Sequence, residues 1–234
     1  ILWASETIVV GGDDVTGLVV GVQRGFSVRG KIEFAGTAPH PQGNAMRGTV
    51  QLVPTEMRPA RPAAYTTQVN PDGTFAFIVP PGRYVIPEPP SFPPSWANAR
   101  SITAKGIDTV DAAIAIESDI PDLVITLTDT PAPSLTGTAE LPAGEIPEEW
   151  AVLIFSSDRR LWKQPIVSLR RFQAARLNSQ RLFTRSLLPG DYLLALSRGV
   201  PIDWIEATAL EELAKGATSV TLVEGDKKSV QVKR

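Results

Sequence analysis

Few side chains in this sequence have the type and spacing that catalysis or metal binding requires. The chain has one histidine, His40, and no cysteine, so it lacks the two-histidine and thiolate ligand sets of zinc sites. It also lacks the short motifs of metalloproteases, serine hydrolases and P-loop proteins. His40 lies between Pro39 and Pro41, where proline holds the chain extended. We therefore interpret His40 as an exposed loop residue and expect no enzyme, no cofactor and no metal site.

Carboxylates are the remaining residues with metal-binding chemistry. Five of them fall at predicted strand ends and turns, namely Asp13, Asp14, Asp108, Asp111 and Asp119. A calcium site takes several oxygen ligands from one loop, and their spacing does not follow the EF-hand pattern. Asp is common in turns because its side chain accepts hydrogen bonds from nearby backbone. We therefore interpret these residues as turn residues.

A basic run is the strongest charge feature of the chain. Between Arg159 and Arg185 there are eight Lys or Arg residues and no Asp or Glu. Such a run could bind an anionic membrane surface, a polyanion or an acidic partner. The alternative is a solvated face whose charges pair with acids such as Glu206, Glu211 and Glu212. The candidate partner-binding residues in this run are Arg159, Arg160, Lys163, Arg170 and Arg171.

Nucleic acid is not an expected partner. The net charge is −2, and only Trp162 and Phe172 interleave with the basic residues. No RNA- or DNA-binding motif is present.

Three aromatic residues are candidate anchors for a partner. Phe92 and Trp96 lie in a proline-rich stretch, and Trp162 lies in the basic run. Exposed rings of this kind anchor protein partners or stack on sugar rings. The alternative is that they pack onto their own domain, and the sequence leaves both open.

Composition favours an all-β protein. Pro (21) and Gly (18) are frequent among 234 residues and stand between short apolar runs, a pattern of many short strands and turns. No apolar run approaches the roughly 18 to 20 residues that span a bilayer, so we expect no transmembrane segment in this chain.

One stretch organises the sequence and occurs twice. Residues 72–86 predict a strand with Phe75 and Phe77 on one face, a Pro-Gly turn, and a second strand that contains Tyr84. Pro81 and Gly82 suit the central positions of a type II turn. The same pattern returns at residues 182–193.

Further anchors repeat at nearly the same interval. Residues 119–127 follow 14–22 by 105 positions, residues 134–139 follow 27–32 by 107, and Tyr192 follows Tyr84 by 108. A period this long indicates tandem whole domains. We call residues 25–130 the first repeat and residues 131–234 the second.

Two further expectations follow from the alignment of the repeats. Residues 1–24 correspond to the closing strands of an upstream β-sandwich, which predicts that the native polypeptide extends towards the N-terminus. The second repeat has a predicted short helix near residues 203–215. Asp203 and Glu206 would form its capping box, and Gly216 would stand just after its end.

Four motifs together resemble one known family. They are V-x-G-x-I from Val28, D-G-x-F-x-F from Asp72, P-P-G-x-Y from Pro80, and D-I-x-x-L-V-I-x-L from Asp119. This combination resembles the carboxypeptidase regulatory-like family, more sharply in the first repeat, since residues 179–181 replace the Asp-Gly pair in the second. The resemblance implies Greek-key, transthyretin-like (Ig-like) β-sandwiches, found in tandem in bacterial envelope proteins, without peptidase activity.

Some sandwiches of this kind carry a Lys–Asn isopeptide cross-link, for which Lys31 would be the lysine. The partner asparagine should lie in a last strand, and neither residues 123–128 nor 230–234 contain one. We therefore expect no such cross-link.

The sequence thus predicts a non-catalytic structural or protein–protein interaction module of a periplasmic or cell-surface protein. One form of this is an accessory subunit docked on a larger membrane complex, for example a respiratory or photosynthetic assembly. The alternative is a carbohydrate-binding or adhesion module that uses the same aromatic residues.

Overall fold

The computed structural model describes residues 1–4, 6, 8, 9, 11, 12, 14, 16–56, 63–92, 95–163 and 169–233. Asp13, one of the predicted turn residues, lies outside the described residues. The predicted all-β class with tandem sandwiches is confirmed, because the described elements are mostly strands in paired sheets. The boundaries of the two repeats stay a prediction.

The strands of the N-terminal segment and the first repeat are, in chain order, β1 Leu2–Trp3, β2 Gln23–Arg24, β3 Phe26–Ala35, β4 Thr49–Pro54, β5 Tyr65–Gln68, β6 Thr74–Val79, β7 Gly82–Val85, β8 Asn98–Ala104, β9 Ile107–Asp108, β10 Ile114–Ile116 and β11 Ile120–Thr128. A short 3₁₀ turn covers Gly43–Met46.

The elements of the second repeat are β12 Ser134–Ala139, β13 Trp150–Ser156, α1 Arg159–Trp162, β14 Phe172–Arg176, β15 Leu182–Ser186, β16 Gly190–Arg198, α2 Ala207–Ala214, β17 Thr218–Leu222 and β18 Lys227–Val232. Short 3₁₀ turns precede β13 (Pro147–Glu149) and β14 (Leu169–Arg171).

The two repeats have the same sheet order. The first has a sheet β6-β3-β11-β8-β9 and a sheet β10-β7-β4-β5. The second has β15-β12-β18 and β17-β16-β13-β14. In both, the last strand runs parallel to the first, β11 beside β3 and β18 beside β12. The repeat seen in the sequence is therefore a repeat of topology.

The repeats differ in the element inserted between two equivalent strands. Between the equivalent strands β7 and β10, the first repeat adds β8 and β9 beside β11. Between β16 and β17, the second repeat adds α2 instead. Leu210 of α2 packs with Phe155, Trp162 and Phe172 in a separate apolar cluster. This cluster covers the outer face of the sheet, and so every residue of β13 is buried.

The glycine of the V-x-G-x-I motif is explained by a cross-strand aromatic ring. Gly30 pairs with Phe75, and a Cβ on Gly30 would lie 2.4 Å from the Phe75 ring. In the second repeat Gly137 pairs with Phe183, and the corresponding distance is also 2.4 Å. Each phenylalanine ring therefore occupies the volume of the missing side chain, and the two motifs are one packing unit.

The Pro-Gly turn does not join two neighbouring strands of one sheet. β6 and β7 belong to opposite sheets, so the chain crosses the sandwich between them. Gly82 and Gly190 begin strands with φ of 159° and 150°, far from the value of about +80° that a type II turn requires. The prediction of a type II turn is therefore wrong. Two stretches of alternating apolar residues with a turn signal between them do not reveal whether the second strand joins the same sheet as the first.

A tyrosine secures this crossing in each repeat. The Tyr84 hydroxyl donates to the Pro80 carbonyl oxygen at 2.7 Å, and the Tyr192 hydroxyl donates to the Leu188 carbonyl oxygen at 2.9 Å. Both bonds reach four residues back along the chain, as in the tyrosine corner of immunoglobulin-like sandwiches.

The predicted helix is present but shorter, and its predicted cap is wrong. The residue before α2 is Glu206, whose side chain makes no capping hydrogen bond. Asp203 lies in the preceding turn, where its carbonyl oxygen accepts from the Glu206 amide. Gly216 does follow the end of α2, but without the positive φ of a left-handed cap. An Asp three positions before a Glu marks a cap only if the helix begins there, and here it begins later.

Candidate functional site

A polar junction between the two repeats holds the most buried ion pair among the described residues. Asp111 lies in the turn before β10, and Arg171 ends the 3₁₀ turn before β14. Arg171 Nη2 lies 2.6 Å from Asp111 Oδ2 and Nε lies 2.9 Å from Oδ1. The side chains are only 13% and 24% exposed. A paired-donor contact of this kind fixes orientation as well as adding energy.

The Arg171 guanidinium is also held from within its own repeat. Its Nη1 donates to the Tyr192 hydroxyl at 3.1 Å and to the Pro189 carbonyl oxygen. A Cβ on Gly190 would lie 2.7 Å from Nη1, so glycine is what allows this approach. Arg171 therefore links the tyrosine corner of the second repeat to a turn of the first.

Burial and pairing act in opposite directions on these groups. Burial lowers the pKa of Arg171, but its hydrogen bonds to Asp111 and the nearby charges outweigh burial and raise the pKa. Burial raises the pKa of the Tyr192 phenol. Burial lowers the pKa of Arg170, whose Nη2 donates to the Val110 carbonyl oxygen at 3.1 Å. Arg170 and Arg171 therefore both bind the turn that contains Val110 and Asp111.

A second set of contacts crosses the junction at Glu224, in the turn between β17 and β18. Its carboxylate accepts from Arg100 of β8 at 2.7 Å and from the Thr128 hydroxyl of β11 at 2.9 Å. The hydrogen bond from Arg100 is the main reason why the pKa of Glu224 is lowered. Within the first repeat, Asn98 donates to the Thr130 carbonyl oxygen at 3.1 Å. The two sandwiches are therefore tied at two separate places.

A surface cleft of about 580 Å³ lies beside the junction. Its walls come from both repeats, with Arg83, Asp108 and Asp111 on one side and Asp158 and Arg160 on the other. Arg160 is already paired with Asp158, at 2.7 Å. The described part of the chain contains no group of three or more His, Cys, Asp or Glu residues placed to bind a metal.

Of the two alternatives that the sequence leaves open for Phe92 and Trp96, the structure has them packed onto their own domain. Both side chains are 2% exposed. The Trp96 ring packs edge-on against Phe34, at 4.9 Å between ring centroids, and its Nε1 donates to the Pro39 carbonyl oxygen. The proline-rich loop folds back onto the first sandwich, and the rings belong to its core. His40 lies exposed over the same rings, as its loop position predicted.

Trp162 is also buried, at 3% exposure. It ends α1, packs against Phe155 and donates from Nε1 to the Ser156 carbonyl oxygen at 2.7 Å. Its place in a basic run suggested exposure, but α1 turns the ring onto the outer face of β13. None of the three aromatic candidates therefore presents its ring to solvent.

The basic run divides between different environments. Arg159 pairs with Glu211 at 3.0 Å, as the solvated-face alternative expected, and Arg160 pairs with Asp158. Lys163 is exposed. Arg170 and Arg171 turn inward to the junction. Among the described residues, the five basic candidates therefore do not form one continuous basic surface.

Sequence reasoning missed the partners of these arginines. The sequence predicts Asp111 as a turn residue and indicates Tyr192 only as a core residue. Arg100 and Glu224 are 124 positions apart, and no local pattern connects them. The one usable signal is the absence of acids from the basic run, because any carboxylate partner of these residues then lies outside residues 159–185.

No helix among the described residues is both long and apolar enough to cross a membrane.

Comparison with known proteins leaves the family open. No family model matches the sequence, so the resemblance to the carboxypeptidase regulatory-like family stays a prediction. No curated protein matches it either.

Several solved structures are weakly similar. The Bacillus anthracis TIE protein is 12% identical, with a TM-score of 0.28 over 93% of this chain and 36% of its own. The chain thus spans about a third of that protein. GBS52, the minor pilin of Streptococcus agalactiae, is 11% identical, with a TM-score of 0.32 over 89% of this chain and 94% of its own. A streptococcal ancillary pilin is 10% identical, with a TM-score of 0.33 over 93% of this chain and 65% of its own.

Proposed function

We propose that this protein is a non-catalytic structural module of a periplasmic or cell-surface protein. In this role its two sandwiches act as one stiff spacer that holds attached domains or partners at a set distance. The proposal rests on the junction, above all on the Arg171–Asp111 ion pair, whose side chains are only 13% and 24% exposed. Two sandwiches joined by a free linker would not need such a pair.

The chemistry of the junction suits a spacer. A salt bridge aligned by two hydrogen bonds is directional, so it resists rotation of one sandwich against the other more than an apolar contact would. The second tie at Glu224 lies on different strands. Two ties at separate places restrict bending about either one. We therefore propose that the junction keeps the two sandwiches in a stiff arrangement.

The envelope location rests on the motif resemblance described above. The absence of cysteine fits an envelope protein and a cytosolic protein equally. Attachment to a larger membrane complex through a protein partner remains part of the proposal. The carbohydrate-binding alternative loses its main support, because the rings of Phe92, Trp96 and Trp162 are buried.

Small-angle X-ray scattering tests the stiffness. The expected curve of the 234-residue chain fits one two-sandwich shape, with the same radius of gyration across a dilution series. A curve that requires an ensemble of bent and extended shapes contradicts the spacer.

Cross-linking in intact cells, followed by co-purification from solubilised envelopes, tests the partner. The expected result is one reproducible protein neighbour. Recovery of the free chain alone, from any fraction, contradicts attachment to a complex without affecting the scattering result.

A further inference from the structure

The second sandwich has an open edge at β18. Among the described residues, β18 pairs with β12 on one side and with no strand on the other. In the first sandwich the equivalent strand, β11, has β3 on one side and β8 on the other. The second repeat contains α2 in place of β8, and α2 packs on the outer face of the opposite sheet. The position that β8 fills in the first sandwich is therefore open in the second.

The core beside this edge is only partly covered. Val230 of β18 lies opposite Gly137, just as Leu123 of β11 lies opposite Gly30. Leu123 is fully buried, whereas Val230 is half-buried. The equivalent position thus loses part of its cover where the neighbouring strand is absent.

The facing sheet shows the same difference. Val220 of β17 lies opposite Tyr192, just as Ile114 of β10 lies opposite Tyr84. Ile114 is buried in one core cluster with Ile102 of β8. Val220 is only half-buried. A strand beside β18 would therefore cover apolar side chains of both sheets, as β8 does in the first sandwich.

The charge of the edge indicates which kind of strand fits. Lys227 and Lys233 are exposed at the two ends of β18. Lys227 has no ion-pair partner among the described residues, and Lys233 makes only an exposed contact of 3.7 Å with Glu140. Two β18 strands paired antiparallel about Val230 would place Lys227 of each copy opposite Lys233 of the other, and like charges in that position are destabilising. A strand with acidic ends is complementary instead.

We propose that the open edge of β18 binds an extended segment of a protein partner. The segment runs antiparallel to β18, as β8 does to β11, and is seven residues long, like β8. Its apolar residues stand at alternate positions and cover Val220 and Val230, and acidic residues at its ends face Lys227 and Lys233. In this mode of recognition backbone hydrogen bonds supply affinity and the alternate side chains supply specificity. The inference rests on the proposed attachment to a protein partner and names the surface that the partner uses.

A synthetic peptide of seven residues tests the charge preference. The probe has glutamate at both ends, valine at the even positions and threonine at the other odd positions, and the control peptide has lysine at both ends. The glutamate peptide is expected to bind the 234-residue chain on the order of ten times more tightly than the lysine peptide, because two cross-strand charge pairs change from attractive to repulsive. The double variant Lys227→Glu with Lys233→Glu should reverse this preference.

Disulfide trapping locates the bound peptide, because the chain has no natural cysteine. Gln231→Cys provides an exposed thiol on β18, and Thr184→Cys is the matched exposed control on β15, the strand at the other edge of the same sheet. Antiparallel docking places the third residue of the peptide opposite Gln231. A glutamate peptide with cysteine there should react on the order of ten times faster with Gln231→Cys than with Thr184→Cys, because a disulfide requires closely spaced Cβ atoms.

Three results would overturn the proposal. They are the absence of binding by the glutamate peptide, equal affinity for the two peptides, and equal trapping at the two edges. Homodimers of Gln231→Cys that grow with concentration in the absence of peptide also overturn it, and they identify a second copy as the occupant. Each of these results leaves the cross-linking test for a partner in cells unaffected, so the surface can fail while the proposed function stands.

Discussion

Arg171 of the second sandwich and Asp111 of the first are joined through both carboxylate oxygens, with the shortest contact at 2.6 Å. The residues are 60 positions apart, and each is anchored on a turn beside a sheet. The same guanidinium contacts Tyr192, which secures the sandwich crossing of its own repeat. One side chain therefore connects the internal architecture of the second sandwich to the position of the first.

This pair should be stronger than an exposed ion pair of the same chain. A double-mutant cycle with Arg171→Ala and Asp111→Ala is expected to give a coupling of about 1 to 3 kcal/mol in the free energy of unfolding, because the pair is part-buried and doubly hydrogen-bonded. The control cycle, Arg159→Ala with Glu211→Ala, concerns side chains that are 68% and 47% exposed. It should give less than about 1 kcal/mol. Equal couplings from the two cycles would show that the junction pair has no special role.

The Glu224 tie should weaken in acid. The pKa of Glu224 is lowered in the folded protein, chiefly by the hydrogen bond from Arg100. A carboxylate with a lowered folded pKa stabilises the fold above its unfolded pKa, and this stabilisation is lost as pH falls through the folded pKa. Chemical denaturation from about pH 6 to pH 3 should therefore show a smaller loss of stability for Glu224→Gln than for wild type. Glu117→Gln, at an exposed glutamate, serves as the control. Identical pH profiles for wild type and Glu224→Gln would contradict the tie.

The hydroxyl of each tyrosine corner should contribute to stability. Tyr84→Phe removes the hydrogen bond to the Pro80 carbonyl oxygen, at an expected cost of about 1 to 2 kcal/mol in the free energy of unfolding. Tyr192→Phe removes the bond to the Leu188 carbonyl oxygen and also the bond accepted from Arg171, so it should cost at least as much. The double variant should be additive within about 0.5 kcal/mol, because the corners lie in separate cores. Burial also raises the pKa of Tyr192. The ultraviolet titration of wild type minus Tyr192→Phe should therefore show a phenol that ionises above the ordinary tyrosine range. A difference titration in that ordinary range would argue against burial of this hydroxyl.

The motif glycines should not tolerate a methyl group. Gly30→Ala and Gly137→Ala would each place a Cβ against a phenylalanine ring, and overpacking of this kind costs about 1 to 3 kcal/mol. A Cβ on Gly216 would meet nothing within 4 Å, so Gly216→Ala should change stability by less than about 0.5 kcal/mol. Thermal or denaturant unfolding measures all three. Neutral substitutions at both Gly30 and Gly137 would mean that the motif glycines are not explained by ring packing.

Much of the fold was predictable because local patterns and the repeat agreed. Phe75 and Phe77 stand at alternate positions, as in a strand with one buried face. The interval from Phe75 to Phe183 indicates that the whole domain is repeated. The repeat also indicated which residues are equivalent, so that Gly30 and Gly137 have the same partner. These features depend on short stretches of sequence, which periodicity describes well.

The crossing at Pro81 and the junction at Arg171 were not predictable in the same way. Strand periodicity gives the buried face of a strand but not the sheet that it joins. The basic run gave the charge of Arg170 and Arg171 but not their direction, which depends on how the 3₁₀ turn before β14 meets a turn of the other sandwich. Trp96 shows the same limit, since a proline-rich loop can extend into solvent or fold back onto a core.

The central claim is that the junction holds the two sandwiches in one fixed orientation. Two exposed positions on first strands, Arg29→Cys on β3 and Thr138→Cys on β12, allow spin labels at two unique thiols. Pulsed electron–electron double resonance then gives the distribution of distances between the two spin labels, one on each sandwich. We predict one narrow distribution, unchanged by Arg159→Ala and broadened when Arg171→Ala is combined with Glu224→Gln. A broad distribution in the chain with an intact junction would contradict the account.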